Sequence, residues 1–327
     1  MRRSMLLFTV VSVLIALGAQ AGQPAQGPTM RYKLDEGQVL VYKAIADTTA
    51  EGRGGGGDGH GRRDGDRSGQ SENHVELIFS ITAGARQADG STPITLEVLD
   101  ARIRQVRDIA DGRQTIEMDA QGVRIYEGKK LVQQGKWGEI ELPGGLDLRA
   151  LLNAQIEASV DQLGRIGGFE EPDAVKQLLQ GANFLHMLVH QPIFPEGPVT
   201  KGGSWKIERA LTFANPLRLH ELVALPGTEN HTAIDAVNYM NRNCLKLAIR
   251  GDWPRLKLEN DAGEVKASSS ATAIVDFATG VLFAYTAKTK QDLEGSIRGA
   301  NVQFKIESTS TITYIGDKQL YDKYKAQ

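Results

Sequence analysis

The sequence predicts a mainly β protein of the α+β kind, built around one large curled antiparallel sheet with a single apolar helix packed on or inside it. Three observations carry this. Residues 74–83 alternate, with Val75, Leu77, Phe79, Ile81 and Ala83 in one phase and His74, Glu76, Ile78, Ser80 and Thr82 in the other, the pattern of a strand with one face buried. Three long alternating runs follow near the end, at 265–277, 281–294 and 300–315. Only one extended stretch, 172–190, repeats its apolar residues at helical spacing.

The N-terminal residues are expected to leave before folding. Arg2 and Arg3 form a basic start, Met5 to Leu17 an apolar run, and Ala19-Gln20-Ala21 offers small residues where a signal peptidase reads. Residues 1–21 therefore read as a signal peptide, and the apolar run is shorter than the roughly 20 residues a bilayer core requires. No membrane span is expected after cleavage. Residues 22–30 read as a flexible leader. Cys244 is the single cysteine, so no internal disulfide can form and folding rests on core burial. A buried, inert thiol is expected there.

The formal net charge is −2, with 38 basic and 40 acidic residues scattered along the chain. Nothing in that balance indicates nucleic acid or an anionic membrane surface as a partner.

Residues 31–171 are expected to form an N-terminal β half. Val39 to Tyr42 open it, after the Glu36-Gly37 turn signal. Residues 51–73 lack any large apolar side chain and are expected to be a disordered loop, since burial cannot offset their ordering entropy. Near Asp100 the phase of alternation shifts to Leu99, Ala101 and Ile103, as a β-bulge produces. Further strands are expected at 114–119, 122–127 and 155–161, and a short helix at 146–153.

Residues 172–192 are expected to be the apolar helix. Pro172 suits its first turn and Asp173 its positive end, and Gln191-Pro192 stops it. Residues 193–327 form the C-terminal β half, with strands at 204–213, 219–225, 243–251 and the three long runs. Those runs exceed the usual five or six residues, which favours a wide, twisted or curled sheet. Two turn patterns recur in the same order in both halves. Met118-Asp119-Ala120-Gln121-Gly122-Val123 is matched by Val275-Asp276-Phe277-Ala278-Thr279-Gly280-Val281, and the glycine turn before Val39 by that before Trp205. A duplicated β unit is one reading of this.

Chemistry-bearing patterns are thin. His186 and His190 stand one helical turn apart, but no glutamate of the H-E-x-x-H type and no third ligand accompanies them. Gly202-Gly203-Ser204-Trp205 lacks the final glycine of a nucleophile elbow, Lys206 standing there instead. The glycine run at 54–57 lacks the lysine of a phosphate loop, and its aspartates lie among Arg53, Arg62, Arg63 and Arg67. Asn230-His231-Thr232 matches a glycosylation acceptor. No catalytic residue, metal site or cofactor is assigned.

The segments YKLDEGQVLVYK, FPEGPVTKGGSW and DFATGVLFAYT resemble a broad group of uncharacterised exported bacterial β-proteins in which a G-x-S-W turn begins the second half. The chain is also loosely similar to periplasmic lipoprotein and lipid carriers, in which a curled sheet wraps apolar helices. It is longer than those carriers and matches none of their motifs residue by residue.

The functional expectation is an exported, non-enzymatic protein of the periplasm or extracellular space that binds an apolar small molecule or lipid. In the 265–277 strand the inward positions are small (Ala267, Ser269, Ala271, Ala273), whereas neighbouring strands offer Phe283, Tyr285, Phe304 and Ile306. Small residues beside large ones make a groove. Leu178, Leu179, Leu185 and Val189 of the helix, with Ala271, Phe283 and Phe304 of the sheet, are its expected lining. The alternative expectation is a structural or protein-interaction module of the envelope with an envelope protein as partner.

Overall fold

The computed structural model describes residues 27–326 apart from 55–66, 110–111, 141, 143–147, 153, 171–191, 215–221, 259–262 and 298–299. The signal peptide and residues 172–191 of the expected helix at 172–192, with Leu178, Leu179, Leu185 and Val189, lie outside the described residues, as do His186 and His190.

The chain forms one antiparallel sheet of fourteen strands. The first half contributes β1 (Val39–Gly54), β2 (Arg67–Ala83), β3 (Thr92–Ile109), β4 (Gly112–Asp119), β5 (Gly122–Glu127) and β6 (Lys130–Gly135). A short helix α1 (Leu148–Leu152) and the strands β7 (Gln155–Val160) and β8 (Ile166–Glu170) follow. The second half contributes β9 (Ser204–Ala214), β10 (Leu222–Tyr239), β11 (Arg242–Lys257), β12 (Gly263–Asp276), β13 (Leu282–Ile297) and β14 (Ala300–Gly316), then helix α2 (Lys318–Lys325).

Each half is a meander of six strands in sequence order, and β1 pairs with β14 to join them. The path ends at β6 and β9, with β7 and β8 branching from the early part of β3. The two turns matched in sequence each join the fourth and fifth strands of their meander. In both, the aspartate side chain accepts backbone N–H bonds, Asp119 from Gln121 and Gly122 and Asp276 from Ala278, and an arginine closes on it.

One difference from the sequence expectation stands out. Residues 51–54 and 67–73 are not loop: β1 runs to Gly54, β2 begins at Arg67, and the two stay in register from Val39↔Thr82 to Gly54↔Arg67. Ladder hydrogen bonds use the backbone alone, so they extend a long ribbon through residues without apolar side chains. The phase shift near Asp100 is a bulge, since Ile78 pairs with Asp100 and Phe79 with Val98, leaving Leu99 over.

The sheet is curled. Tyr32 donates its backbone N–H to Gln162 O in the β7–β8 turn, and the adjacent Lys33 donates to Thr279 O in the β12–β13 turn, both at 2.8 Å. In a flat sheet those turns would be separated by about six strand spacings, roughly 29 Å at ~4.8 Å each. Two consecutive residues can reach both only if the sheet curls strongly at this end. Residues 27–38 and 192–199 then plug that end: Met30, Tyr32, Phe194 and Val199 are buried in the main cluster with Leu148 and Leu151 of α1. Gly280 is needed here, because a Cβ would run into Arg31 O and the Phe194 ring, and its φ is +70°.

The two faces have opposite polarity. The concave face carries Tyr42, Ala44, Leu77, Phe79, Ala273, Leu247, Ile249, Phe283 and Ile312, all in one buried cluster. The convex face carries ion pairs such as Lys43–Glu76 at 2.8 Å, Lys266–Asp292 at 3.3 Å and Lys290–Glu307 at 2.8 Å. Helix α2, capped by Asp317, covers an apolar patch of that face, formed by Val39, Val41 and Ile78. Tyr321 and Lys325 of α2 both donate to the buried Glu97 carboxylate, at 2.8 and 2.6 Å.

Candidate functional site: the concave face

The concave face is layered from the plugged end outward. Nearest the plug, inward side chains from β1–β3 and β10–β14 form a continuous apolar floor. Its inward small residues, Ala44, Ala46, Ala233, Ala271, Ala273 and Ala287, are buried and stand in one cluster with Tyr42, Tyr285 and Phe283. Ala271 and Phe283 both belong to the cluster that forms this floor.

Above the floor runs a polar row. Along paired positions it reads Glu229, then across Gly251 to Ser269, Thr289, Ser308, Thr48 and Asn73. All of these except Glu229 and Gly251 are half-buried, so solvent reaches the row. The hydroxyls of Thr48 and Ser308 share a hydrogen bond at 2.9 Å. At the β10 end, Glu229 accepts from Arg209 at 3.1 Å and lies 3.2 Å from Nε2 of His231. His231 and Glu229 are 0% and 2% exposed, and a charge this deep requires its partners. The negative charge of Glu229 adds to burial in pushing the Tyr285 hydroxyl well above its ordinary range. Tyr285 is three strands away from Glu229 in the sheet order, which again reflects the curl.

Beyond the row lies a second apolar cluster of Leu211, Leu225, Trp253, Val265, Ala267 and Leu293, with Phe304 packed against it. Phe304, expected in the same groove as Ala271 and Phe283, therefore sits on the other side of the polar row, over Gly52. Strict alternation placed it on the correct face, but its height along the strand depends on register. Trp253 anchors the second cluster: its indole lies over Gly227 and Gly251, and Nε1 donates to Arg209 O at 3.0 Å.

Trp205, at the start of β9, is half-buried against the main cluster, with Nε1 donating to Ile193 O at 2.7 Å and its ring 5.5 Å from that of His231. Cys244 is buried, and burial pushes its thiol up. A raised pKa holds it as the unreactive thiol. Among the described residues no three His, Cys, Asp or Glu side chains stand together as a metal site, and no helix is long and apolar enough to cross a membrane.

No family model matches the sequence, and no curated protein matches it. Solved structures with a detectable likeness include the beta domain of the Bordetella autotransporter BrkA. That match is at 10% identity over 86% of this chain and 100% of that one, with a TM-score of 0.22. The CymD monoaromatic hydrocarbon channel matches at 8% identity over 86% and 89% of the chains, with a TM-score of 0.17.

Proposed function

We propose that this chain is an exported, non-enzymatic protein of the cell envelope that holds an apolar ligand, a lipid or acyl chain, in the cup formed by its curled sheet. The observation that carries this reading is the distribution of polarity. An outer-membrane barrel turns an apolar band outward and keeps a polar interior. Here the convex face bears ion pairs and the concave face an apolar floor in which alanines stand among aromatic side chains. That arrangement suits a protein whose outside meets water and whose inside meets hydrocarbon.

The test is native mass spectrometry and solvent extraction of the purified mature protein, alongside Ala271→Phe. Co-purified lipid, reduced in the variant, supports the reading. A wild-type protein that carries no lipid and binds no acyl probe refutes it.

The second reading, a structural or protein-interaction module, is favoured by one feature. Edge strand β6 leaves Leu131 and Val132 exposed, at 44% and 42%, beside a ladder with no partner strand among the described residues, of the kind another strand can join. Leu131→Lys with Val132→Lys separates the readings: it should abolish association with an envelope partner under this one and leave lipid content unchanged under the first.

A further inference from the structure

The polar row has two properties that the apolar floor does not explain. First, acceptors without donors lie in it and at the inward positions next to it. Oδ1 of Asn73 and Oε1 of Gln291 are buried with no hydrogen-bond partner, as is Nδ1 of His231. Gln291 is 4% exposed and sits one inward position beyond Thr289, between the row and the second cluster. A buried acceptor left unpaired costs about 1–3 kcal/mol, and native proteins keep few of them. Second, the row has no surplus charge. Its one carboxylate, Glu229, is already engaged by Arg209 and His231, and the remaining groups are hydroxyls and amides.

From these properties we infer that the row is a head-group site for an amphiphile whose head is an uncharged, hydroxyl-rich group such as a glycerol or sugar. This inference rests on the apolar-ligand reading above and specifies the ligand's class. Hydroxyls of the head donate to Asn73 and Gln291 and exchange hydrogen bonds with Ser269, Thr289, Ser308 and Thr48. The tail runs toward the plugged end, over the alanine floor. An anionic head would meet Glu229, and a cationic head would meet Arg209, so either would disturb a buried ion pair that is already complete.

Titration calorimetry of the mature protein with three probes sharing one dodecyl chain, each below its micelle concentration, tests this. The probes are dodecyl maltoside, laurate and dodecyltrimethylammonium. Maltoside should bind most tightly, and Gln291→Leu with Asn73→Leu should weaken it by about tenfold while leaving laurate within about twofold. Thr289→Val, nearly isosteric, provides the same readout should the double variant fail to fold, and circular dichroism verifies the fold of each. Ala271→Phe, in the floor, should weaken all three probes together. Binding that ignores the head group, or maltoside affinity unchanged in the row variants, overturns the head-group assignment and leaves the apolar-ligand reading intact. Failure of all three probes to bind overturns both.

Discussion

Gly251→Ala should be among the most damaging single-methyl additions in this protein. A Cβ at Gly251 would stand closer than 3.0 Å to the Trp253 ring and to Ser269 Oγ, whereas carbon atoms settle at about 3.5–4.0 Å. The indole would have to shift by more than about 1 Å. Such a shift cannot preserve the 3.0 Å bond from Nε1 to Arg209 O, which would leave a buried carbonyl unpaired. Overpacking costs about 1–3 kcal/mol and the lost bond about 1–3 more, with a ceiling near the ~3–5 kcal/mol of removing a buried tryptophan outright. Alanine restricts the unfolded chain and returns about 0.4–1 kcal/mol. The net expectation is a loss of about 2–4 kcal/mol, read by urea unfolding followed with far-UV circular dichroism. In a Trp253→Leu background the same change should cost little, because the clashing ring is gone. A loss below about 1 kcal/mol in the wild-type background, or equal losses in both, would refute the placement of the indole over this glycine.

Three further expectations follow from the same geometry. Burial raises the Tyr285 hydroxyl; a raised folded pKa contributes stability below the unfolded value near 10 and loses it as pH climbs above that. Tyr285→Phe should therefore flatten the alkaline limb of a stability–pH curve, and an unchanged limb would count against this burial. Arg209→Met leaves the buried Glu229 without its arginine and should cost about 3–5 kcal/mol, toward the lower end because Arg209 still sees solvent at 18%; thermal unfolding that matches wild type would contradict the pairing. Tyr321→Phe removes one of two donors to Glu97, at about 1–2 kcal/mol, and should speed proteolysis within α2 while leaving the sheet's circular dichroism intact.

Much of the fold was legible because alternation is a direct record of a half-buried ribbon. β4, β5 and β7 and the Leu99 bulge fall where the pattern places them. What escaped lacks that record. β6 (Lys130–Gly135) buries none of its side chains, and β10 continues through Pro226 and Gly227, a pair that reads as a break. Both are held by ladders rather than by side-chain contrast. The ends of β1 and β2 were missed for the same reason. In the site, the alanine floor was readable, but Arg209, Glu229 and His231 were not singled out. One signal existed: Glu229 and His231 share the inward phase with Leu225 and Ala233 of the same strand, where polar residues are costly. The row itself was invisible, since it crosses seven strands and joins side chains from six of them, whose heights are set by register alone.

The pairing of β1 with β14 has a consequence for how the molecule comes into being. Thr48 and Ser308 are 260 positions apart, yet their strands form the middle of the sheet. Until β14 arrives, β1 presents a bare edge sixteen residues long, and such edges recruit foreign strands. Non-local closure of this kind is slow to nucleate. A chain threaded across a membrane from its N-terminus would therefore spend its vulnerable interval with the first meander formed and its central seam open, and that seam is where a chaperone would have to act. Joining the two ends and opening the chain between the meanders would convert the topology into one uninterrupted twelve-strand run. Such a permutant should refold faster than the natural order while keeping the same cup.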